Sequence, residues 1–198
     1  VTCVEKLYPE LIPHLSTARS PEAMNSALVK SYFAKKLGID RKDITVVSIM
    51  PCTAKKHEAA REDFMVDGVP ETDYVLTTRE LGRLLRMKKI NIATLPLQEY
   101  DNPLGMSTGA GAIFGASGGV MEAAARTAYE ITTGKKLENV NLLPLRGVSG
   151  VKTLTVELLS KDKKPVPLQM AVVSGIGNAR ELLAKLKKKE AEFDFIEA

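Results

Sequence analysis

The sequence is poor in cysteine and in aromatic residues, and it has no long apolar run. Two cysteines in 198 residues, Cys3 and Cys52, have no framework spacing. That argues against a disulfide-built secreted domain and favours a reducing, cytoplasmic compartment. No apolar stretch is long enough to span a bilayer, so no membrane role is expected. Residues 1–15 are amphipathic and carry charges throughout, which excludes a signal-peptide pattern. Aromatic residues make up 5%, too few for the interleaving of rings and basic clusters that nucleic acid demands. The net charge is a modest +4. Lys185, Lys187, Lys188 and Lys189 supply much of the basic excess and read as a solvated helix face. There are no tandem repeats. What is present is a globular composition, 44% hydrophobic and 26% charged, in a length that suits one domain with lobes at about 1–100 and 101–198.

Strand and helix patterns alternate along the chain, which implies α/β architecture. Residues 2–12 read as a helix ending near Pro13. Residues 15–21 form a loop in which Ser20 is a helix cap and Pro21 fits the first turn. The helix that follows passes Met24, Leu28 and Phe33 to Leu37, where Gly38 stops it. Ile44 to Met50 is a continuous apolar run, the pattern of a strand buried on both faces in a parallel sheet. Next come a helix over 53–61 that Thr53 can cap, a strand over 74–76, and a helix over 79–89 capped by Thr77 or Thr78. Residues 93–117 are irregular and glycine-rich. The helix 118–133 sets Val120, Met121, Ala124 and Ala128 on one face. Strands are expected at 141–145, 153–159 and 166–174, with a hairpin turn at 161–165. The strand 153–159 alternates through Leu154, Val156 and Leu158, so one face should be wet. A helix over 178–190 and a strand over 193–196 finish the chain.

The run Met50-Pro51-Cys52-Thr53-Ala54-Lys55-Lys56-His57-Glu58 is the leading candidate site. It sets a thiol at the carboxyl end of a strand, where ligands of α/β sheets collect. A helix N-terminus follows it, and Lys55 stands three residues on. Together these suit an anionic metal cofactor. The ordinary reading is a buried structural cysteine. His57 reads as a surface residue, and Glu58 as a first-turn acid. Cys3 reads as packing. A second candidate, residues 107–119, carries five glycines where backbone could approach a ligand closely. It lacks the Gly-Lys-Ser/Thr ending of a phosphate loop. A third, Ser174-Gly175-Ile176-Gly177-Asn178 with Glu197 about 20 residues on, is a partial dinucleotide signature. Arg180 stands where the third glycine belongs, so an ordinary βαβ turn is the leading reading there. Turn and cap chemistry accounts for Ser16 and Ser20.

Taken together these segments resemble the catalytic domain of the [FeFe]-hydrogenases, the iron-only hydrogenase large subunit, over essentially the whole chain. Residues 50–58 match its Met-Pro-Cys-x-x-Lys-x-x-Glu motif. Val1–Pro21, Leu76-Thr77-Thr78-Arg79-Glu80-Leu81 and Phe114-Gly115-Ala116-Ser117-Gly118-Gly119-Val120-Met121-Glu122-Ala123 also read as family segments. A first cysteine motif should stand immediately before Val1, and a third should begin about where Ala198 ends; neither is in the sequence. The resemblance implies an α/β fold, two-lobed, with mostly parallel sheets flanked by helices. It implies that the parent protein reversibly reduces protons to dihydrogen at an H-cluster: a [4Fe–4S] cubane joined to a di-iron subsite.

By that resemblance Cys52 is a cubane ligand and Lys55 hydrogen-bonds a cyanide of the di-iron subsite. Ser16 lies on the proton path. Met50, Pro51, Phe114 and Gly115 line the pocket. Ferredoxin or another electron-transfer domain or subunit, and hydrogenase maturation factors, are the implied partners. The chain itself is expected to be a cofactor-free, inactive fragment with Cys52 as a free thiol. The alternative is a non-catalytic iron–sulfur relative, a sensory subunit or an assembly protein. A nucleotide module on Gly175 and Gly177, or a plain scaffold, are more distant readings.

Overall fold

The computed structural model describes residues 1–106, 108–136, 150–160 and 162–198. They form two compact units, Val1–Met106 and Ser107–Ala198. The expected strand at 141–145, with Ser107 and Lys161, lies outside the described residues.

The first unit opens with α1 (Thr2–Leu7) and a 3-10 helix, Pro9–His14. The single helix expected over 2–12 is broken at Tyr8, whose φ of −140° leaves the helical region. The cause is Pro9, whose ring crowds the residue before it. Ser20 caps α2 (Pro21–Leu28) by accepting the Ala23 N–H at 3.3 Å. The helix runs on through a π-turn, Val29–Phe33, into α3 (Ala34–Leu37). Gly38 ends it in the left-handed region at φ 70°, where a side chain would be strained. The face this helix buries carries Ala23, Ser26, Lys30 and Ala34, while Met24 and Leu28 are exposed. Lys30 can be buried because its Nζ donates to Pro70 O at 2.6 Å and pairs with Asp73 at 2.6 Å.

Strand β1 (Val47–Met50) carries the Cys52 motif at its end. After it come α4 (Ala54–Ala59), β2 (Met65–Val66), β3 (Val69–Pro70) and β4 (Tyr74–Thr77). Asp67 and Gly68, both at positive φ, turn β2 into antiparallel β3. β1 and β4 are parallel, in register from Val47 with Tyr74 to Met50 with Thr77. The expectation that β1 is buried on both faces is corrected. Val47 and Ile49 are 49% and 47% exposed, whereas Ser48 and Met50 turn inward. Period-two geometry divides even a continuous apolar run into two faces, and here the inner face includes a serine anchored by Glu22.

Helix α5 (Thr78–Met87) begins with a capping box: Thr77 Oγ1 accepts the Glu80 N–H, and the Glu80 carboxylate accepts the Thr77 N–H at 2.7 Å. Of the two threonines expected to cap it, Thr77 does so.

In the second unit the short α6 (Ala110–Ile113) leads into α7 (Gly119–Thr133). Strands β5 (Val151–Leu159) and β6 (Pro165–Val173), nine residues each, pair as an antiparallel hairpin. Helix α8 (Ile176–Lys187) carries the chain back to β7 (Phe195–Glu197), parallel to β6. The architecture is α/β, as expected. The sheets are mixed: β1–β4 and β6–β7 are parallel, and the hairpins β2–β3 and β5–β6 are antiparallel.

Central β6 is apolar on both sides because both sides are covered. Met170 and Val172 pack with Met121 and Ala125 of α7, and Ala171 and Val173 pack with Leu182 of α8. β5 alternates through Leu154, Val156 and Leu158, as its pattern predicts. The face of α7 that is buried differs from the expected one. Met121, Glu122, Ala123 and Ala125 are inside, whereas Val120 and Ala124 are exposed. Glu122 is tolerated there because Arg126, one turn on, pairs with it at 3.0 Å. Among the described residues no helix is long and apolar enough to cross a membrane.

Candidate metal-cofactor site

Because Met50 and Thr77 are register partners, β1 and β4 end side by side. The chain beyond each end lines an open depression of about 530 Å³, formed by Pro51, Cys52, Thr53, Thr77, Thr78 and Arg79. Cys52 is a free, exposed thiol there. This corrects the ordinary reading of it as a buried structural cysteine. Thr53 stands at the N-cap position of α4 but makes no side-chain cap bond, so the capping role expected of it is not realised. Met50 is half-buried, and Pro51 and His57 are exposed.

Lys55 and Glu58 form an ion pair on one face of α4. Ser20 Oγ donates to the same carboxylate at 2.6 Å. Glu58 is therefore not a first-turn acid; it sits late in a six-residue helix and joins α4 to the cap of α2. Burial pushes its pKa up, but the hydrogen bonds from Lys55 and Ser20 prevail and hold the carboxyl below its ordinary range. Lys56 reaches the other way, to Val75 O at 2.8 Å and the Glu80 carboxylate at 2.9 Å. The Thr77 N–H, Lys56 and the Thr77 hydroxyl together bring the Glu80 pKa down to about 2.

Ser16 is exposed, and its Oγ accepts the Ala18 N–H at 3.1 Å. Its loop is pinned by Arg19, which pairs with Glu71, donates to Asp63 O at 3.2 Å and lies 4.6 Å over the Phe64 ring. The sequence reasoning missed this clamp and also Glu22. That carboxylate takes hydroxyl bonds from Ser48 at 2.5 Å and Thr72 at 2.9 Å, tying β1 to α2. The partners are 26 and 50 residues away from Glu22 in sequence, so no local pattern could reveal them. The Lys55–Glu58 pair did carry a signal, the i,i+3 spacing on a helix.

Phe114 and Gly115 belong to the second unit, at the turn between α6 and α7. Phe114 is 39% exposed and Gly115 is exposed. Cys3 is half-buried on α1. The partial dinucleotide signature resolves into ordinary structure. Gly175 has φ 88° before α8, Asn178 donates to Ser174 O at 2.6 Å, and the Glu197 carboxylate is engaged by the Gly118 and Met121 amides.

As a donor set for an iron–sulfur cubane, this arrangement supplies one corner. A thiol is the right soft ligand, and it is accessible. Among the described residues no three Cys, His, Asp or Glu side chains come together to hold a metal ion, so these residues fit a shared site and not a self-contained one.

The whole chain, residues 1–198, matches the model of the iron only hydrogenase large subunit, C-terminal domain. It is 48% identical over 179 residues to the NADP-reducing hydrogenase subunit HndD of Solidesulfovibrio fructosivorans, covering 90% of this chain and 30% of that protein. It is 42% identical over 193 residues to the periplasmic [Fe] hydrogenase large subunit of Nitratidesulfovibrio vulgaris, covering 98% and 45%. A cytosolic Fe-S cluster assembly factor, the NAR1 homolog of Schizosaccharomyces japonicus, is 33% identical over 95% of the chain and 38% of its own length. Among solved structures, apo [FeFe]-hydrogenase HydA1 from Chlamydomonas reinhardtii, variant C377H, superposes with a TM-score of 0.81 at 42% identity, covering 98% of this chain and 55% of that one. The chain thus spans from under a third to about half of the length of these proteins.

Proposed function

This chain belongs to the iron-only hydrogenase large-subunit family, and on that premise we propose that it is part of an enzyme that reversibly reduces protons to dihydrogen. The observation that carries the reading is the exposed Cys52 thiol at the paired ends of β1 and β4, within the family's own motif. The relatives are longer than the chain, so activity is proposed for the whole protein. Residues 1–198 alone are proposed to hold no complete cofactor and to turn nothing over.

In this reading Cys52 is one thiolate ligand of a [4Fe–4S] cubane. When bound, the cubane and its di-iron subsite supply the electrons and the metal centre at which protons and dihydrogen interconvert. The residues of the chain bind, orient and shield. Lys55 has three N–H donors. Glu58 takes one of them, which leaves donors for an anionic diatomic ligand while fixing the ammonium in direction. Ser16, whose Oγ accepts the Ala18 N–H, is proposed to pass a proton onward through its own O–H. Met50 and Pro51, on either side of the end of β1 and just before Cys52 in the chain, are proposed as an apolar wall that limits water. Ferredoxin or another electron-transfer partner, and maturation factors for cofactor insertion, complete the proposal. The two free thiols suit a reducing compartment such as the cytoplasm.

The test is to express the longer protein with maturation factors and measure hydrogen evolution from a strong low-potential reductant. Turnover is expected, with Cys52→Ala losing iron and activity together. A loaded protein that holds a cubane but evolves no hydrogen would instead support a second reading, an iron–sulfur relative of the assembly-factor kind. Robust turnover by residues 1–198 alone would overturn the proposal that the fragment is inactive.

A further inference from the structure

Cys52 and Arg79 hold equivalent places in the first unit, each two residues past the end of a strand. β1 ends at Met50 and β4 at Thr77, and those two are register partners in a parallel pair. Parallel strands release the chain at the same edge of their sheet. Cys52 and Arg79 accordingly line one open depression of about 530 Å³. Both residues are exposed there.

The first turn of a helix favours acids, because its unpaired amides carry partial positive charge. Arg79, the second residue of α5, sets a cation in that turn. The acid that suits the turn, Glu80, is engaged elsewhere. Its carboxylate accepts the Thr77 N–H at 2.7 Å and the Thr77 hydroxyl at 3.0 Å, and it pairs with Lys56 at 2.9 Å. Lys55 is paired as well, with Glu58. The Arg79 guanidinium has no hydrogen-bond or ion-pair partner among the described residues. Of Lys55, Lys56 and Arg79, it is the one whose charge is uncompensated there.

A guanidinium is always charged and carries five N–H donors in a rigid fork. Iron–sulfur clusters bound by thiolates are anionic, and one-electron reduction adds a further negative charge. Their potentials respond to net charge and to hydrogen bonds at sulfur. A cation that shares a depression with the ligand thiol therefore favours the reduced, more negative form.

We infer that Arg79 tunes the cluster held by Cys52, raising its reduction potential through the charge and the N–H donors of its guanidinium. The inference rests on the functional reading above, which makes Cys52 a cluster ligand. The step it acts on is a single-electron transfer: a low-potential donor loses one electron, the cluster gains it, and no iron–thiolate bond breaks.

The experiment loads the longer protein with iron and sulfide and titrates it with dithionite, read by electron paramagnetic resonance. The signal followed is the one that Cys52→Ser removes or alters. Arg79→Gln is expected to make reduction about tenfold less favourable at unchanged iron content, a drop of about 59 mV for one electron. Arg79→Lys keeps the charge and is expected to stay closer to the wild type. Arg83→Gln removes the same charge one turn along α5, outside the depression, and is expected to move the potential less. An unmoved potential in Arg79→Gln would overturn the inference. An equal drop in Arg83→Gln would overturn it too, by showing a general effect of charge. Iron lost in Arg79→Gln would do the same, because Arg79 would then retain the cluster and not tune it. If no signal depends on Cys52, the functional reading falls and the inference with it.

Discussion

Ser20 Oγ lies 2.6 Å from Glu58 Oε1, so the residue that caps α2 also binds the carboxylate that holds Lys55. One acidic group joins α4 to the cap residue of α2, 38 positions away in sequence. Lys55 is not a free surface cation. Its direction is set by Glu58.

Glu58→Gln should lower the stability of the chain by about 1 kcal/mol, read as the urea midpoint at neutral pH. A double-mutant cycle with Lys55→Gln should return a coupling of about 0.5–1 kcal/mol. A coupling of zero would mean that solvent screens the pair completely.

The Glu80 carboxyl has its pKa lowered from 4.5 to about 2 by the Thr77 amide, Lys56 and the Thr77 hydroxyl. A depressed carboxylate stabilises the fold fully above its unfolded pKa and loses that contribution as pH falls through the folded value. Stability should therefore decline between about pH 4.5 and about pH 2, with a shallower decline in Glu80→Gln. Thr77→Ala should cost about 1 kcal/mol by opening the same box. Denaturant midpoints across that pH range decide both.

Gly119→Ala should be among the most damaging single-methyl changes, at about 3 kcal/mol or more, because the added carbon meets the Ile113 carbonyl. Gly109→Ala, where a Cβ meets nothing within 4 Å, should stay within about 0.5 kcal/mol. Thermal unfolding of the pair provides the contrast. Equal effects would contradict the close backbone packing at Gly119.

Lys30→Met should cost about 3 kcal/mol, because it leaves Asp73 without the ammonium that is buried beside it. Equilibrium unfolding in urea measures it, and a neutral result would show that Asp73 is hydrated.

A thiol reagent should modify Cys52 about tenfold faster than the half-buried Cys3 under native conditions. Cys52→Ser should remove the fast phase alone. A fast phase that survives the substitution would assign the accessible thiol to Cys3.

Local chemistry made several elements readable in advance. Ser20-Pro21 announced a helix start, Gly38 a helix stop, and Leu154, Val156 and Leu158 a strand with one inward face. Each of these signals acts through near neighbours. Tyr8 was misread although its cause, Pro9, is also local. The buried face of α7 differs from the expected one for another reason. An apolar stripe shows which side could be buried, while the side actually covered depends on partners supplied by other elements. Lys30 is inside because Pro70 and Asp73 await it, and Glu122 because Arg126 does.

The same division holds for the candidate site. The sequence by itself determined the family, through the ordered motif around Met50-Pro51-Cys52 and Lys55, and it determined that Cys52 follows a strand. Only the tertiary structure decided that β4 would end beside β1, that Glu58 would bind both Lys55 and Ser20, and that Glu197 would close α7 and not face a nucleotide. Those contacts join residues tens of positions apart. Hydrogen bonds and ion pairs of that kind depend on where the chain returns in space, and residue order alone does not encode that return in any local pattern.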